Sequence, residues 1–210
     1  MRDTKEYTIL DAVTPKAITS STDATPVIIT KASHGLVTGD RILIFGHVTN
    51  VAANGFSKVT RVDANTFSLQ NINSGADIAG SGAGAGGTTG FFMTAPKVPL
   101  VSDFVNAELH IMTSGTSTMT IKVAGSIGKN DGSSPNFGGT QAVANPYTYL
   151  QIIDLQGQTT VDGDTGVVLA GADVNKVYEV NINASKYLTV YPSAWTAGAL
   201  TVKLLLTDND

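Results

Sequence analysis

Cysteine is absent from the 210 residues. That removes disulfides, thiolate nucleophiles and Cys-ligated metals together, and leaves redox chemistry no foothold. Charge is scarce as well: 14% of residues are charged, and Lys+Arg 13 against Asp+Glu 17 gives a net charge of −4. No cations cluster along the chain, whereas electrostatic binding of nucleic acid needs several on one face, so no nucleic-acid partner is expected. No apolar run approaches the roughly 20 residues of a membrane span. The polar start Met1-Arg2-Asp3-Thr4-Lys5-Glu6 is not that of a signal peptide. The expectation is a soluble chain made in the cytoplasm, with no membrane partner. Helical periodicity is missing too.

Glycine is plentiful, with 22 residues, and it concentrates in the stretch Gly75 to Gly90. Having few side chains to bury and much backbone entropy to lose, this stretch reads as a flexible loop or linker between two β-patterned segments. The hydrophobic content of 42% is enough for packed cores on both sides. Four parts follow: an N-terminal arm over 1–25, a small β-module over 26–74, a Gly-rich linker over 75–99 and a β-sandwich over 100–210. In the arm, Tyr7, Ile9, Leu10, Val13 and Ile18 are spaced irregularly. It is either a docking arm ordered by a partner or an ordinary N-terminal strand of the first module.

From Pro26 the pattern sharpens. Val27-Ile28-Ile29-Thr30 and Arg41-Ile42-Leu43-Ile44-Phe45 are β-branched or apolar runs separated by His34-Gly35 and Thr38-Gly39-Asp40. Asn54-Gly55 then opens Phe56 to Val62, and Asp63-Ala64-Asn65 turns the chain into Thr66-Phe67-Ser68-Leu69-Gln70. Short strands with such turns predict a small barrel or meander.

The run His34-Gly35-Leu36-Val37-Thr38-Gly39-Asp40-Arg41-Ile42-Leu43-Ile44, with Asn54-Gly55-Phe56, Val59, Val62 and Asn65-Thr66-Phe67-Ser68-Leu69, resembles a small β-module of tailed-bacteriophage virion proteins. That module is often labelled for its similarity to the first catalytic-cysteine half-domain of ubiquitin-activating enzymes. Without cysteine no thioester chemistry is open to this chain, and the resemblance implies a structural or binding insert. The pattern departs after Asn71, where the glycine stretch stands in place of a compact ending. Phe91-Phe92-Met93 therefore either closes the first module or begins the second. Its two rings must be buried, at the junction of the modules or against another subunit.

Beyond Leu100, residues alternate in Ala107 to Ile111, Met119 to Val123, Tyr178 to Ile182 and Leu200 to Leu204. With Tyr149 to Ile153, Val167 to Leu169 and Tyr187 to Tyr191, this predicts about seven strands in an antiparallel, jelly-roll-like β-sandwich. The closing strands, Val177 to Val180, Tyr187 to Val190 and Gly198 to Leu206, are similar to those of a recurrent phage-particle sandwich. The fold class expected is all-β throughout.

No reactive constellation stands out. His34 belongs to a turn, His110 lies on a strand, and His47 completes the set without a second His or carboxylate at ligand spacing. Asp162-Gly163-Asp164, with Asp154 and Asp173 nearby, offers oxygens to calcium but equally makes a hairpin turn, and no EF-hand loop is present. The glycines lack the Gly-Lys-Ser/Thr of a phosphate cradle, and there is no Gly-x-Ser-x-Gly elbow. Trp195, the sole tryptophan, is expected to plug the sandwich end. No catalytic residue, metal or cofactor is expected. The resemblance implies a virion protein, first a capsid decoration or cement protein bound to the major capsid protein, otherwise a tail, baseplate or fibre component. A homo-oligomer, a trimer among its forms, fits such a role. A glycan- or receptor-binding module using Asp131, Asn136, Phe137 and Tyr147 is the alternative of a different class.

Overall fold

The structure, a computed structural model, describes residues 4–85, 89–126, 147–183 and 185–208. Its strands in chain order are β1 (Thr4–Val13), β2 (Lys16–Ala17), β3 (Ser20–Ser21), β4 (Ile28–Thr30), β5 (Arg41–Phe45), β6 (Gly55–Arg61), β7 (Thr66–Asn71) and β8 (Phe91–Thr94). They continue with β9 (Asn106–Ser126), β10 (Tyr147–Tyr149), β11 (Ile152–Asp154), β12 (Thr159–Val161), β13 (Val167–Ala172), β14 (Asn175–Val180) and β15 (Tyr187–Thr207). The fold is all-β: two antiparallel sheets, with a single 3-10 turn at Val51–Ala53 and no α-helix among the described residues. The described residues divide into two compact units, 4–14 with 96–126 and 147–208 forming the larger and 15–95 the smaller.

The larger unit is organised by two strands of 21 residues, β9 and β15, paired along their length. The other edge of β9 takes β14, β13 and β10 in succession, and the sheet runs β1-β15-β9-β14-β11-β12. Alternation along β9 and the last third of β15 puts Leu109, Ile111, Ile121, Val202 and Leu204 on the buried face, and Val190 lies in the wholly buried run Leu188–Pro192, each of the six at most 1% exposed. Burying each such side chain contributes about 1.5–3 kcal/mol. The segments Ala107 to Ile111 and Met119 to Val123, read from the sequence as two strands, are halves of one. Ser114-Gly115 and Ala197-Gly198, dipeptides of the kind that make turns, lie inside β9 and β15 where the register slips. A bulge there absorbs glycine without ending the ladder.

β1 belongs to this larger sheet, pairing with β15 from Thr4↔Thr207 to Val13↔Leu200. The boundary expected at residue 25 therefore lies elsewhere, near residue 14. Register shifts between Thr8 and Leu10 and between Leu10 and Val13 explain the irregular apolar spacing, because each extra residue resets the period of two.

The smaller sheet runs β2-β8-β5-β6-β7-β4-β3. Its two edge strands, β2 and β3, are the ends of one short segment, so Lys16–Ser21 lines both margins and the sheet curls toward a barrel. Inside lie Ile18, Val27, Ile29, Ile42, Ile44, Val59, Phe67, Leu69 and Phe92. β8 closes this sheet, pairing with β5 and β2, so Phe91-Phe92-Met93 ends the first module. Phe92 packs edge-on against Phe67 at 5.3 Å, and Phe91 stacks on Phe45 at 5.7 Å.

The glycine stretch is a packed strap of the smaller unit over its described residues. The Ile78 N–H donates to Leu69, Gly80 to Ala24 and Gly84 to Ser21, all to carbonyl oxygens at 2.9–3.1 Å. A Cβ on Gly80, Gly82 or Gly84 would stand 2.8 Å from Asp23 Cα, 2.6 Å from the Thr49 carbonyl oxygen or 2.7 Å from His47 Cε1. Glycine is needed here for close backbone approach, a requirement that composition alone confuses with flexibility. Gly84→Ala is expected to destabilise the smaller unit by about 1–3 kcal/mol through overpacking, and Ala85→Ser by less than about 0.5 kcal/mol. Calorimetry checks this, with Trp195 fluorescence marking the transition of the larger unit.

Candidate functional site

The His34 turn carries the most distinctive sequence pattern, and its His34, Thr38 and Asp40 side chains are engaged internally. His34 is fully buried. Its Nδ1 accepts the Leu36 N–H at 2.9 Å, which leaves Nε2–H to donate to the Asp63 carbonyl oxygen at 3.0 Å. The Lys16 ammonium donates to the His34 carbonyl oxygen at 2.8 Å, and Asp40 Oδ2 accepts the Val37 N–H at 2.9 Å. Gly35 and Gly39 sit at φ +76° and +102°, left-handed values that suit glycine. Across from it, the Asn65 N–H and then Thr66 hold the Asp63 carboxyl below the usual carboxylate range. The motif thus ties the β4–β5 loop to the β6–β7 turn.

A second polar cluster lies under the glycine strap. Asn50, fully buried, uses its whole amide: Nδ2 donates to Ser21 Oγ at 3.2 Å and the Thr22 carbonyl oxygen at 3.0 Å, while Oδ1 accepts from the Ser81 N–H at 3.1 Å and Ser81 Oγ at 3.3 Å. One side chain thereby joins three segments distant in sequence. Beside it, Asn54 exchanges two hydrogen bonds with the His47 backbone, at 2.9 and 2.8 Å. His47 is 1% exposed, and its Nδ1 accepts the Asn50 N–H at 3.1 Å. Nε2 then carries the proton and has no hydrogen-bond partner among the described residues. Burial holds the His47 pKa below its ordinary value.

The remaining predicted groups are dispersed. His110 lies half-exposed on β9, with Nε2 3.9 Å from Glu108 Oε2. Asp162 Oδ1 accepts the Asp164 N–H at 2.9 Å, and Asp164 pairs with Lys122 at 3.2 Å. Asp154 accepts the Gln156 and Gly157 N–H groups and meets Lys176 at 3.3 Å, and Asp173 accepts the Gly115 N–H at 2.8 Å. The Gly157 N–H leads the causes that hold Asp154 below the usual carboxylate range. Each carboxylate is taken up by a backbone N–H or an ion pair, and the described residues contain no group of three or more His, Asp or Glu arranged to hold a metal. Trp195 is half-buried at a bulge of β15, its Nε1–H donating to the Gly198 carbonyl oxygen at 2.9 Å. Asp131, Asn136 and Phe137, and the side chain of Tyr147, lie outside the described residues.

Two arrangements escape a reading of the sequence. One is the Asn50 hub, whose segment Gly46 to Asn54 carries only loop-like signals. The other is Lys122, which lies 4.5 Å from the ring centre of Tyr149 while pairing with Asp164. Tyr178 and Tyr191 are both pushed up by burial, Tyr178 to about 12. Among the described residues, hollows open to solvent beside Gly35, Val37 and Arg61, of about 270 Å³, and beside Phe104, Val105 and Lys186, of about 580 Å³.

Comparison with protein-family models, curated proteins and solved structures finds no match to the chain.

Asn50→Ala is expected to cost the smaller unit about 2 kcal/mol, since the segments at Ser21–Thr22 and at Ser81 both lose their bonds to the buried amide; urea denaturation followed by amide exchange checks it. His47 sets a pH dependence. Because its folded pKa lies below the ordinary 6.5, the unfolded chain takes up the proton first as pH falls. Its contribution to stability is complete above that ordinary value and lost as pH falls through the lowered folded value. In His47→Gln this part of the pH slope is expected to vanish, read as the difference between the unfolding midpoints of the two proteins against pH.

Proposed function

We propose that the chain is a structural component of a tailed-phage particle, a decoration or cement protein that binds the major capsid protein. The observation that carries this reading is a rigid loop with apolar tips. Val48 and Val51 are 80% and 51% exposed. Yet the loop bearing them is pinned by the Asn54–His47 exchange, the Asn50 amide and the Ala52 N–H to Ser81 Oγ bond of 3.0 Å. A loop ordered before contact loses little entropy on docking, and apolar side chains held in water favour burial against another protein.

The phage-type turn supports the same reading in another way. Its residues from His34 to Asp40 are engaged in holding loops, and Val37 beside them is 57% exposed. This distribution favours presentation of a surface.

Co-sedimentation with shells assembled from the major capsid protein of the same phage tests the reading. The chain should pellet with shells, and Val48→Asp combined with Val51→Asp should weaken pelleting at least tenfold, about 1.4 kcal/mol. Absence of pelleting, or equal pelleting by the variant, contradicts it.

A further inference from the structure

Charge is divided unevenly between the two units. Residues 15–95 hold five Lys and Arg against four Asp, leaving eight against thirteen for the rest of the chain. More telling is the placement on the sheets. On the smaller sheet Arg41 of β5 stands directly opposite Lys58 of β6, both exposed, and neither has an ion-pair partner among the described residues. The nearest acidic link in that row runs through Gln70, which is opposite Lys58 and donates to Asp77 at 3.3 Å.

On the larger sheet Glu108 of β9 stands directly opposite Glu179 of β14. Their row continues through Leu205 to Glu6 on one side and through Ile153 to Thr160 on the other. Glu6 is matched by Lys203 at 3.2 Å, and Glu108 has only His110 at 3.9 Å. Glu179 is exposed and has no ion-pair partner among the described residues. Like charges placed directly across a ladder disfavour the sheet that carries them. Each unit holds one such pair on an exposed face, and the pairs have opposite sign.

We propose that the Arg41–Lys58 face of one copy docks on the Glu108–Glu179 face of a second copy. Both pairs are direct cross-strand neighbours, so their Cβ atoms have matching separations of about 4.5–5.5 Å, and the two side chains of one face can each meet one of the other. Ile153, 42% exposed, flanks the acidic pair, and Val62, 59% exposed, lies just beyond β6 on the basic side. The contact is head-to-tail, because two different surfaces meet. Repetition gives a closed ring where the rotation closes and a filament where it does not. The inference is independent of any role in a virion.

Light scattering over a concentration series tests it on the full chain. At low salt the wild-type mass should rise above that of the monomer with concentration, and fall back in about 1 M salt, where the screening length is near 3 Å. Lys58→Glu and Glu179→Lys, both at exposed positions, should each remain monomeric with an unchanged circular dichroism spectrum. Mixed in equal amounts they should associate, because the intact basic face of Glu179→Lys meets the intact acidic face of Lys58→Glu. A wild-type chain that is monomeric throughout, variants that associate like wild type, or a mixture that stays monomeric would overturn the proposal.

Discussion

Close contact between backbones, permitted by glycine and fixed by one buried amide, is the constraint on which the smaller unit depends. The strap passes within van der Waals reach of the Thr49 carbonyl and the His47 ring, and the Asn50 side chain then bonds it to the segment around Ser21 and Thr22. A buried amide with every lone pair and proton engaged stabilises one arrangement and penalises its neighbours, since any slip leaves polar groups without water or partner.

The two units solve the edge problem of β-sheets differently. In the smaller one, the segment from β2 to β3 lies against both margins, which leaves only short edges. The larger relies on the length of β9 and β15: besides their mutual pairing, β9 carries three further ladders, and β15 carries one ladder and the isolated bridge from Leu100 to Tyr187. Apolar alternation over 21 residues gives these strands a continuous buried face, and bulges at Gly115 and Gly198 let them bend without breaking it. In the proposed reading these frames serve to present valines on pinned loops and unneutralised charge on sheet faces.

Much of the fold was legible because its strands obey a period of two. The all-β class and the strands from Ile28 to Asn71 follow from β-branched runs and from turns such as Asp63-Ala64-Asn65. Bulges defeated the reading in β1, β9 and β15, where one added residue mimics an irregular terminus or a turn. The strap was illegible for a different reason. Glycine marks both freedom and close approach, and only neighbouring atoms distinguish them. Asn50 gave no signal, since a polar residue in a polar loop looks the same whether it faces solvent or bridges three segments.

The His34 pattern illustrates the relation between motif and chemistry. Its ring accepts from Leu36 and donates to Asp63, so a residue type associated with catalysis serves as a clamp between two loops. The same economy of local bonds recurs at Asp63, Asp154 and Asp162, each of which accepts nearby backbone N–H groups. The most direct measurement on this account is amide hydrogen exchange across residues 76–85. The account predicts protection at Ile78, Gly80, Ser81 and Gly84, comparable to that of the β6–β7 ladder. Exchange at the rate of an unstructured chain at these positions would contradict it.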